Sequence, residues 1–342
     1  MTDGTAIGVL GVGRMGLVHC ELIEATDGLR LVAASSRSEE LRAIASSRFG
    51  VKTYERHEEI LSDASVEWIV IATTSDQHHH WALEAIEAGK HLIIEKPIAM
   101  SFRETAEIYD AAERKGLRVI PHQSRRWDKD FALVRRVLEA GTLGSIYRIE
   151  TRRTSYSSGW AGWGAQGMNN PWRLKKDYGG GMLNDWAPHL VDQLLLIAST
   201  PVESVYAWMG GKVWTDEVDD HFWAELLFED GLSARVEASN NFRIPLPRWN
   251  IVGTEGTLQV AGGSSDQWSE GRLVRELADI PEEVRYDVSG GELAAGFYPE
   301  LAAMIVRKED SSITPNQVLL VMRIIDLIKD SARTNKTIEV TM

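Results

Sequence analysis

Ile7-Gly8-Val9-Leu10-Gly11-Val12-Gly13-Arg14-Met15-Gly16-Leu17-Val18-His19 is the stretch whose reading decides the fold. An apolar run ends in three glycines spaced G-x-G-x-x-G and passes straight into residues that open a helix, so the chain begins as strand, tight turn and helix. In such a unit the first glycine permits the turn, the second lets the backbone approach a pyrophosphate, and the third lets helix pack on strand. The free N–H groups and positive dipole end of the helix favour the anion. Gly11, Gly13 and Gly16 therefore mark a dinucleotide site, with Arg14 and Met15 between them as further cofactor-binding candidates. Glycine-rich turns of no such use share the spacing; here the flanking strand and helix supply the required context.

The next strand bears on which dinucleotide. An acid about twenty residues on would hold the 2′-hydroxyl of NAD. The second strand instead reads Leu31-Val32-Ala33-Ala34 and ends in Ser35-Ser36-Arg37, and the nearest acids, Glu39 and Glu40, belong to the following helix. A hydroxyl beside a planar guanidinium suits a 2′-phosphate, so Ser36 and Arg37 favour NADP over NAD. The competing reading leaves Arg37 in solvent and Ser36 on a plain ribose.

Up to about residue 121, short apolar runs at 51–54, 66–72, 91–95 and 117–120 alternate with helical segments at 81–88 and 102–115, the pattern of β-α-β units in a parallel sheet. Beyond residue 124 a helix over 131–140 precedes a long alternating stretch at 145–154. Several similar strands follow between Val202 and Leu277, including 221–228, 232–238 and 249–252, which suits a largely antiparallel sheet. Helices over 293–306 and 317–331 and a short run at 337–340 close the chain. The expected fold is α/β: a parallel Rossmann sheet over residues 1–123, then a second α/β domain over 124–342 on a large, mostly antiparallel open sheet.

With 342 residues the chain is long enough for about two domains with substantial cores. Its 37 basic and 50 acidic side chains leave a net charge of −13, which repels nucleic acid and anionic membranes, so neither is expected as a partner. Cys20 is the sole cysteine, which leaves no means of building an intrachain disulfide, a thiolate zinc cluster or an iron–sulfur centre. The first five residues lack a basic region followed by an apolar core, and no apolar stretch approaches the ~20 residues that span a bilayer. A cytoplasmic protein is expected.

Glu95-Lys96-Pro97 stands at the carboxyl end of the fifth strand, the end at which open parallel sheets bind ligands. A lysine there would face the nicotinamide and could hydrogen-bond a substrate oxygen; a surface lysine is the bland alternative. Farther on, Gly179-Gly180-Gly181 leads through Asp185 and His189 to Asp192. On a helix these three polar side chains lie within about 60° of one another, with Leu183, Leu190, Leu194 and Ile197 opposite. His189 would be the proton acceptor, its basicity raised by a neighbouring carboxylate. Two other readings stay open. Pro188 lacks an N–H, so the regular helix begins near Trp186 with Asp185 as its N-cap, or His189 and Asp192 occupy a solvated face. Neither this set nor His78-His79-His80 has a metal-ligand spacing, and no metal is expected. The aperiodic segment 155–178 carries Trp160, Trp163 and Trp172, read as a wall of the substrate site whose indoles suit the C–H faces of sugars, or as pins holding the loop to the sheet. Arg152, His221 and Arg248 are strand candidates for specificity.

Taken together, Gly11 to Gly16, the run 72–78, Gly89-Lys90-His91 leading to Glu95-Lys96-Pro97, Trp172-Arg173, and the glycines leading to Asp185, His189 and Asp192 resemble the Gfo/Idh/MocA oxidoreductase family over nearly the whole chain. The resemblance implies a Rossmann domain followed by an α/β domain whose open sheet forms a homodimer or homotetramer interface. It implies Lys96 and His189 as the catalytic pair, with Asp185 tuning or relaying the proton. Thr73, Thr74, Ser75, His78 and Glu95 would line the cofactor cleft, and Gln123 would sit near the nicotinamide. Arg152, Trp163, Trp172 and Arg173 would join the catalytic three around a carbohydrate or polyol. Thr74 departs from the family, which commonly has proline there. The implied reaction is reversible hydride transfer between NADP or NAD and a carbinol carbon, His189 taking the hydroxyl proton and Lys96 stabilising the alkoxide. The family also contains glycosidases that pass through a transient keto-sugar. Non-catalytic dinucleotide sensors, a further class, have no need of Lys96, Asp185 and His189 together.

Overall fold

Six short strands near the start of the chain, all but the edge strand β3 largely apolar, pair in parallel in the spatial order β3-β2-β1-β4-β5-β6. They are β1 (Thr5–Leu10), β2 (Leu29–Ser35), β3 (Lys52–Tyr54), β4 (Trp68–Ile71), β5 (His91–Ile94) and β6 (Val119–Pro121). The computed structural model describes residues 4–156, 172–211, 213–261, 270–277, 280–288 and 296–340. Val9, Leu10, Ile69, Val70, Ile93 and Ile94 are fully buried, as strands covered by helices on both faces must be. The covering helices are α1 (Arg14–Glu24), α2 (Glu39–Phe49), α3 (His57–Leu61), α4 (His78–Glu87) and α5 (Phe102–Arg114). Strand order reverses between β1 and β4, so a crevice opens at their carboxyl ends, where the glycine turn lies.

After α6 (Lys129–Glu139) the chain builds the second sheet from β7 (Ile146–Thr154), β8 (Val202–Gly210), β9 (His221–Phe228), β10 (Ser233–Ser239), β11 (Trp249–Gly253), β12 (Gly256–Val260), β13 (Glu270–Leu277), β14 (Ile280–Asp287) and β15 (Ile338–Glu339). The order is β14-β13-β12-β11-β7-β10-β9-β8-β15, antiparallel except for β7 beside β10. Strand alternation sorts the side chains. Phe222, Ala224, Leu226 and Phe228 of β9 are buried, while His221, Trp223 and Glu225 between them face the other way. The apolar face packs on α7 (Met182–Ile197) and α9 (Pro315–Thr334). The opposite face is a lattice of ion pairs, with Arg148 at 2.6 Å from Glu225 and Arg152 at 2.7 Å from Glu150.

The C-terminal helices return to the first sheet. In α8 (Phe297–Arg307), Tyr298 reaches His19 of α1; in α9, Asp326 accepts the N–H of Phe102 at 2.9 Å and Lys329 donates to Met100 O at 2.8 Å. These ties set the crevice of the first sheet against the helix that carries His189. Observed boundaries differ from the expected ones by a few residues. The helix α7 begins at Met182 and runs through Pro188, and α8 begins at Phe297, the first residues of the helix expected over 293–306 lying outside the described residues.

Candidate active site

The three glycines occupy three different environments. Gly11 has φ +94°, and a Cβ there would lie 2.9 Å from the Ala72 carbonyl and the Thr73 nitrogen. On Gly16 it would collide with the Gly11 carbonyl, whereas on Gly13 it would meet nothing within 4 Å. Turn, helix packing and open backbone approach are thus each provided, and no side chain caps the start of α1. This cradle fits a dinucleotide pyrophosphate. At the end of β2, Ser36 is buried and Arg37 exposed, and Arg42 donates to Ser36 O at 2.7 Å and Arg37 O at 3.1 Å. The strand end itself carries no acid, and the Arg42 guanidinium beside it lies 3.7 Å from Glu55, just after β3. Thr74 has φ −71°, a value proline also takes, so the missing proline leaves the course of this loop intact. Thr73 and Met15 are half-buried and Ser75 buried along the same wall.

Gly181, at φ +106°, leads into α7, where the N–H of Met182 donates to Asp219 O at 2.9 Å and that of Leu183 to Asp219 Oδ2 at 2.8 Å. These are two of the N–H groups that a helix start leaves without intrahelical partners. Asp185 is accordingly inside the first turn, and the alternative in which it caps a helix beginning at Trp186 is overturned. Lys96 Nζ donates to Asp185 Oδ1 at 2.6 Å and to its carbonyl at 2.7 Å, and Arg173 Nε donates to the same Oδ1 at 3.3 Å. Arg173 also stacks on Trp172, 4.4 Å from the ring centre. Burial and Arg173 hold the Arg14 guanidinium down at about 9, against the pull of Asp185. Cations from the glycine turn, from β5 and from the loop before α7 thus gather on one carboxylate.

His189 is buried and its Nδ1 lies 3.2 Å from Gln123 Oε1. Gln123 Nε2 donates to Pro188 O at 3.2 Å, which fixes the amide with its oxygen toward the ring. Nδ1 must then carry the hydrogen, leaving the Nε2 lone pair to accept a proton. Burial, then Lys96 and Arg125, hold the imidazole well below its usual range, and Glu95 and Asp185 counter only in part. The expected carboxylate beside His189 is therefore absent in effect: Asp185 is bound to Lys96 and Arg173, and Asp192 accepts two bonds from Arg126, at 2.6 and 2.8 Å. His189 and Asp192 are buried and Asp185 is half-buried, so the alternative that put His189 and Asp192 on a solvated face falls.

Other expectations also change. His78 is buried, with Nδ1 2.7 Å from Pro97 O and Nε2 3.3 Å from Thr73 O; its ring is held below its usual range by burial, so one N–H donates, at the shorter contact to Pro97 O, and both nitrogens face backbone carbonyls. Glu95 turns its carboxylate inward, onto His19 and His122 at 2.9 and 2.7 Å. Arg152 lies in the ion lattice on the far face of the sheet, because alternation directs Thr151 and Arg153 toward α7 and Arg152 away from it. His221 shares that far face, paired with Glu237 at 3.0 Å. Arg248 is fully buried against Thr151, Gln193 and Asp130, a core position. Trp160 and Trp163 lie outside the described residues. Sequence reasoning missed Trp186, 5.9 Å from the His189 ring and flanked by Arg125 and Arg153 at 4.4 and 5.1 Å. The two-residue period of β7 would have selected Arg153. Among the described residues no helix is long and apolar enough to cross a membrane.

Residues 5–123 match the oxidoreductase family with NAD-binding Rossmann fold, GFO_IDH_MocA, and residues 131–259 match the GFO/IDH/MocA C-terminal domain. The scyllo-inositol 2-dehydrogenase (NADP(+)) IolW of Bacillus subtilis is 26% identical, over 98% of this chain and 96% of that protein. A solved NAD-binding protein from Listeria innocua superposes with a TM-score of 0.86 at 32% identity, covering 98% of this chain and 97% of its own. A levoglucosan dehydrogenase solved with NADH and levoglucosan shares the fold, with a TM-score of 0.82 at 22% identity over 99% of this chain and 100% of that one.

Proposed function

The chain belongs to the Gfo/Idh/MocA oxidoreductase family and is an NAD(P)-dependent dehydrogenase acting on CH–OH; on that premise we propose that its substrate is a sugar, cyclitol or glycoside and that Lys96, Asp185 and His189 carry the reaction. The observation that supports this reading is the meeting of two elements: Lys96, from the end of β5, and Asp185, from α7, are joined at 2.6 Å, one helical turn from His189. A bound nicotinamide supplies the hydride acceptor, and the protein's part is positioning, charge and proton transfer. His189 Nε2 takes the hydroxyl proton, the Lys96 ammonium stabilises the developing alkoxide, and Asp185 keeps that ammonium in place. In the reducing direction the same imidazole returns the proton.

NADP is the favoured cofactor, since Ser36 and Arg37 end β2 with Arg42 beside them and β2 itself ends without an acid to meet a free 2′-hydroxyl. An inositol-like ring or an anhydrosugar is the favoured substrate, in keeping with what the relatives are named for. The open face of the second sheet is the favoured surface for pairing with another copy, as a homodimer or homotetramer. The test is a panel of inositols, levoglucosan, free sugars and glycosides, with NAD⁺ and NADP⁺ as alternatives, read by reduced-nicotinamide absorbance. On the substrate turned over, Lys96→Ala and His189→Ala should each lower kcat at least ~100-fold. Near-normal turnover in either variant removes that residue from the mechanism.

A further inference from the structure

Behind the reacting set lies a buried group of ionisable side chains that proton transfer does not use. Glu95 Oε1 accepts from His19 Nε2 at 2.9 Å and from His122 Nδ1 at 2.7 Å, and its Oε2 accepts the backbone N–H of Lys96 at 3.1 Å. His19 Nδ1, 2.5 Å from Tyr298 Oη, accepts in turn from the phenol. These contacts fit an ionised Glu95 that accepts from both rings, with the His19 hydrogen on Nε2 and the His122 hydrogen that faces it on Nδ1. Burial holds His19 neutral, and burial alone would raise the Glu95 carboxyl, but His122 and His19 together hold it well below the usual carboxylate range. Nε2 of His122 is buried without a hydrogen-bond partner, so Nδ1 on Glu95 is that ring's one polar anchor.

The positions of these residues along the chain give the group its meaning. Glu95 immediately precedes Lys96, and His122 immediately precedes Gln123, whose amide sets the tautomer of His189. The Glu95–His122 bond ties the carboxyl ends of β5 and β6 together, His19 brings in the helix that follows the glycine turn, and Tyr298 brings in α8. We infer that Glu95 and His122 are positioning residues: their buried hydrogen bond holds the Lys96 ammonium and the Gln123–His189 pair in mutual register. This rests on the roles proposed above for Lys96 and His189.

Glu95→Gln is the direct probe. A glutamine offers one acceptor oxygen, so it serves the two imidazoles or the Lys96 N–H but not both. The expected result is a kcat lowered at least ~10-fold with cofactor and substrate KM little changed, since the interaction acts only on the reacting geometry. The distinguishing measurement is a double-mutant cycle with Lys96→Ala on the inositol or anhydrosugar that the panel selects. If Glu95 acts through Lys96, Glu95→Gln costs less than ~3-fold in the Lys96→Ala background; a merely structural role costs the same factor in both backgrounds and overturns the inference. His122→Leu against His122→Asn repeats the test from the other side, because asparagine can restore a donor toward Glu95 and should recover most of the rate. A crystal structure of Glu95→Gln gives a readout independent of turnover: Lys96 Nζ is expected to leave Asp185, and an unmoved ammonium overturns the inference. Full turnover by Lys96→Ala instead sinks the proposed catalytic set itself, while impaired Lys96→Ala beside a fully active Glu95→Gln sinks the positioning role alone.

Discussion

At His189 the decisive neighbour is an amide and not a carboxylate. Gln123 selects the tautomer with a bare Nε2, and burial with Lys96 and Arg125 keeps the ring neutral. Because the folded imidazole titrates below its usual range, the base form persists as the solution is acidified. The acidic limb of the kcat/KM profile should therefore lie well below pH ~6.5, the unperturbed histidine value. In the residual activity of Lys96→Ala that limb should move to higher pH, since one of the cations depressing the imidazole has gone. A limb that stays in place assigns it to another group. Arg37 supports a second prediction at this scale. If its guanidinium meets a 2′-phosphate, Arg37→Ala should raise KM for NADP⁺ ~10-fold while leaving NAD⁺ nearly unaffected, a loss on the order of one charge-assisted hydrogen bond. Unchanged KM for both cofactors would place Arg37 in solvent only, and an equal rise for both would place it on a group they share.

The element that organises the site is α7, whose start depends on Asp219. Its carboxylate takes the Leu183 N–H and its carbonyl the Met182 N–H, while Gly181 leaves the space they need. Asp219→Ala should cost about 1 kcal/mol of stability, the usual value of a lost cap, whereas Asp219→Asn keeps an acceptor and should retain most of it. Denaturant midpoints of the two variants check this; equal losses exclude the cap. The same helix marks the limit of what the sequence discloses. Glycine spacing and apolar runs identified the first sheet and its ligand-binding end, because turn sterics and burial are local properties. The alternation of β7 was legible too, but not which of its faces meets α7, and so Arg152 was preferred over Arg153. Pro188 suggested a later helix start, yet the N–H it lacks is only one bond, and the acceptor that anchors the true start lies 36 residues beyond Leu183, at Asp219. Partners of charges were the least legible of all, since Asp192 with Arg126 and Glu95 with His19 and His122 are long-range pairings that no local pattern encodes.

At the scale of the molecule, the joint between the two sheets is a buried polar network. Asp128 pairs with Arg125 at 3.1 Å, Asp130 accepts from Trp249 Nε1 at 2.8 Å, and Gln193 of α7 donates to Arg125 O at 2.6 Å. Burial pushes the Asp128 carboxyl up to about 7, with Arg125 opposing and Asp130 adding to the rise. An acid raised on folding binds its proton more tightly in the folded chain. Its contribution to stability is therefore complete below the unfolded value of ~4 and is lost as pH climbs through ~7. A shift of about 3 units bounds this loss at roughly 4 kcal/mol. His19 and His189 act in the opposite sense: lowered on folding, they withdraw stability as pH falls below ~6.5, where the unfolded chain takes up their protons. Stability of the native protein is thus set by opposed groups on the two sides of neutrality, and Asp128→Asn removes one of them while keeping an acceptor for Arg125. The variant should gain on the native chain in denaturant midpoint as pH rises from 5 to 8, and by pH 8 it should be the more stable of the two. A difference that stays constant across that range would mean that Asp128 is ionised throughout, its charge fully met by Arg125.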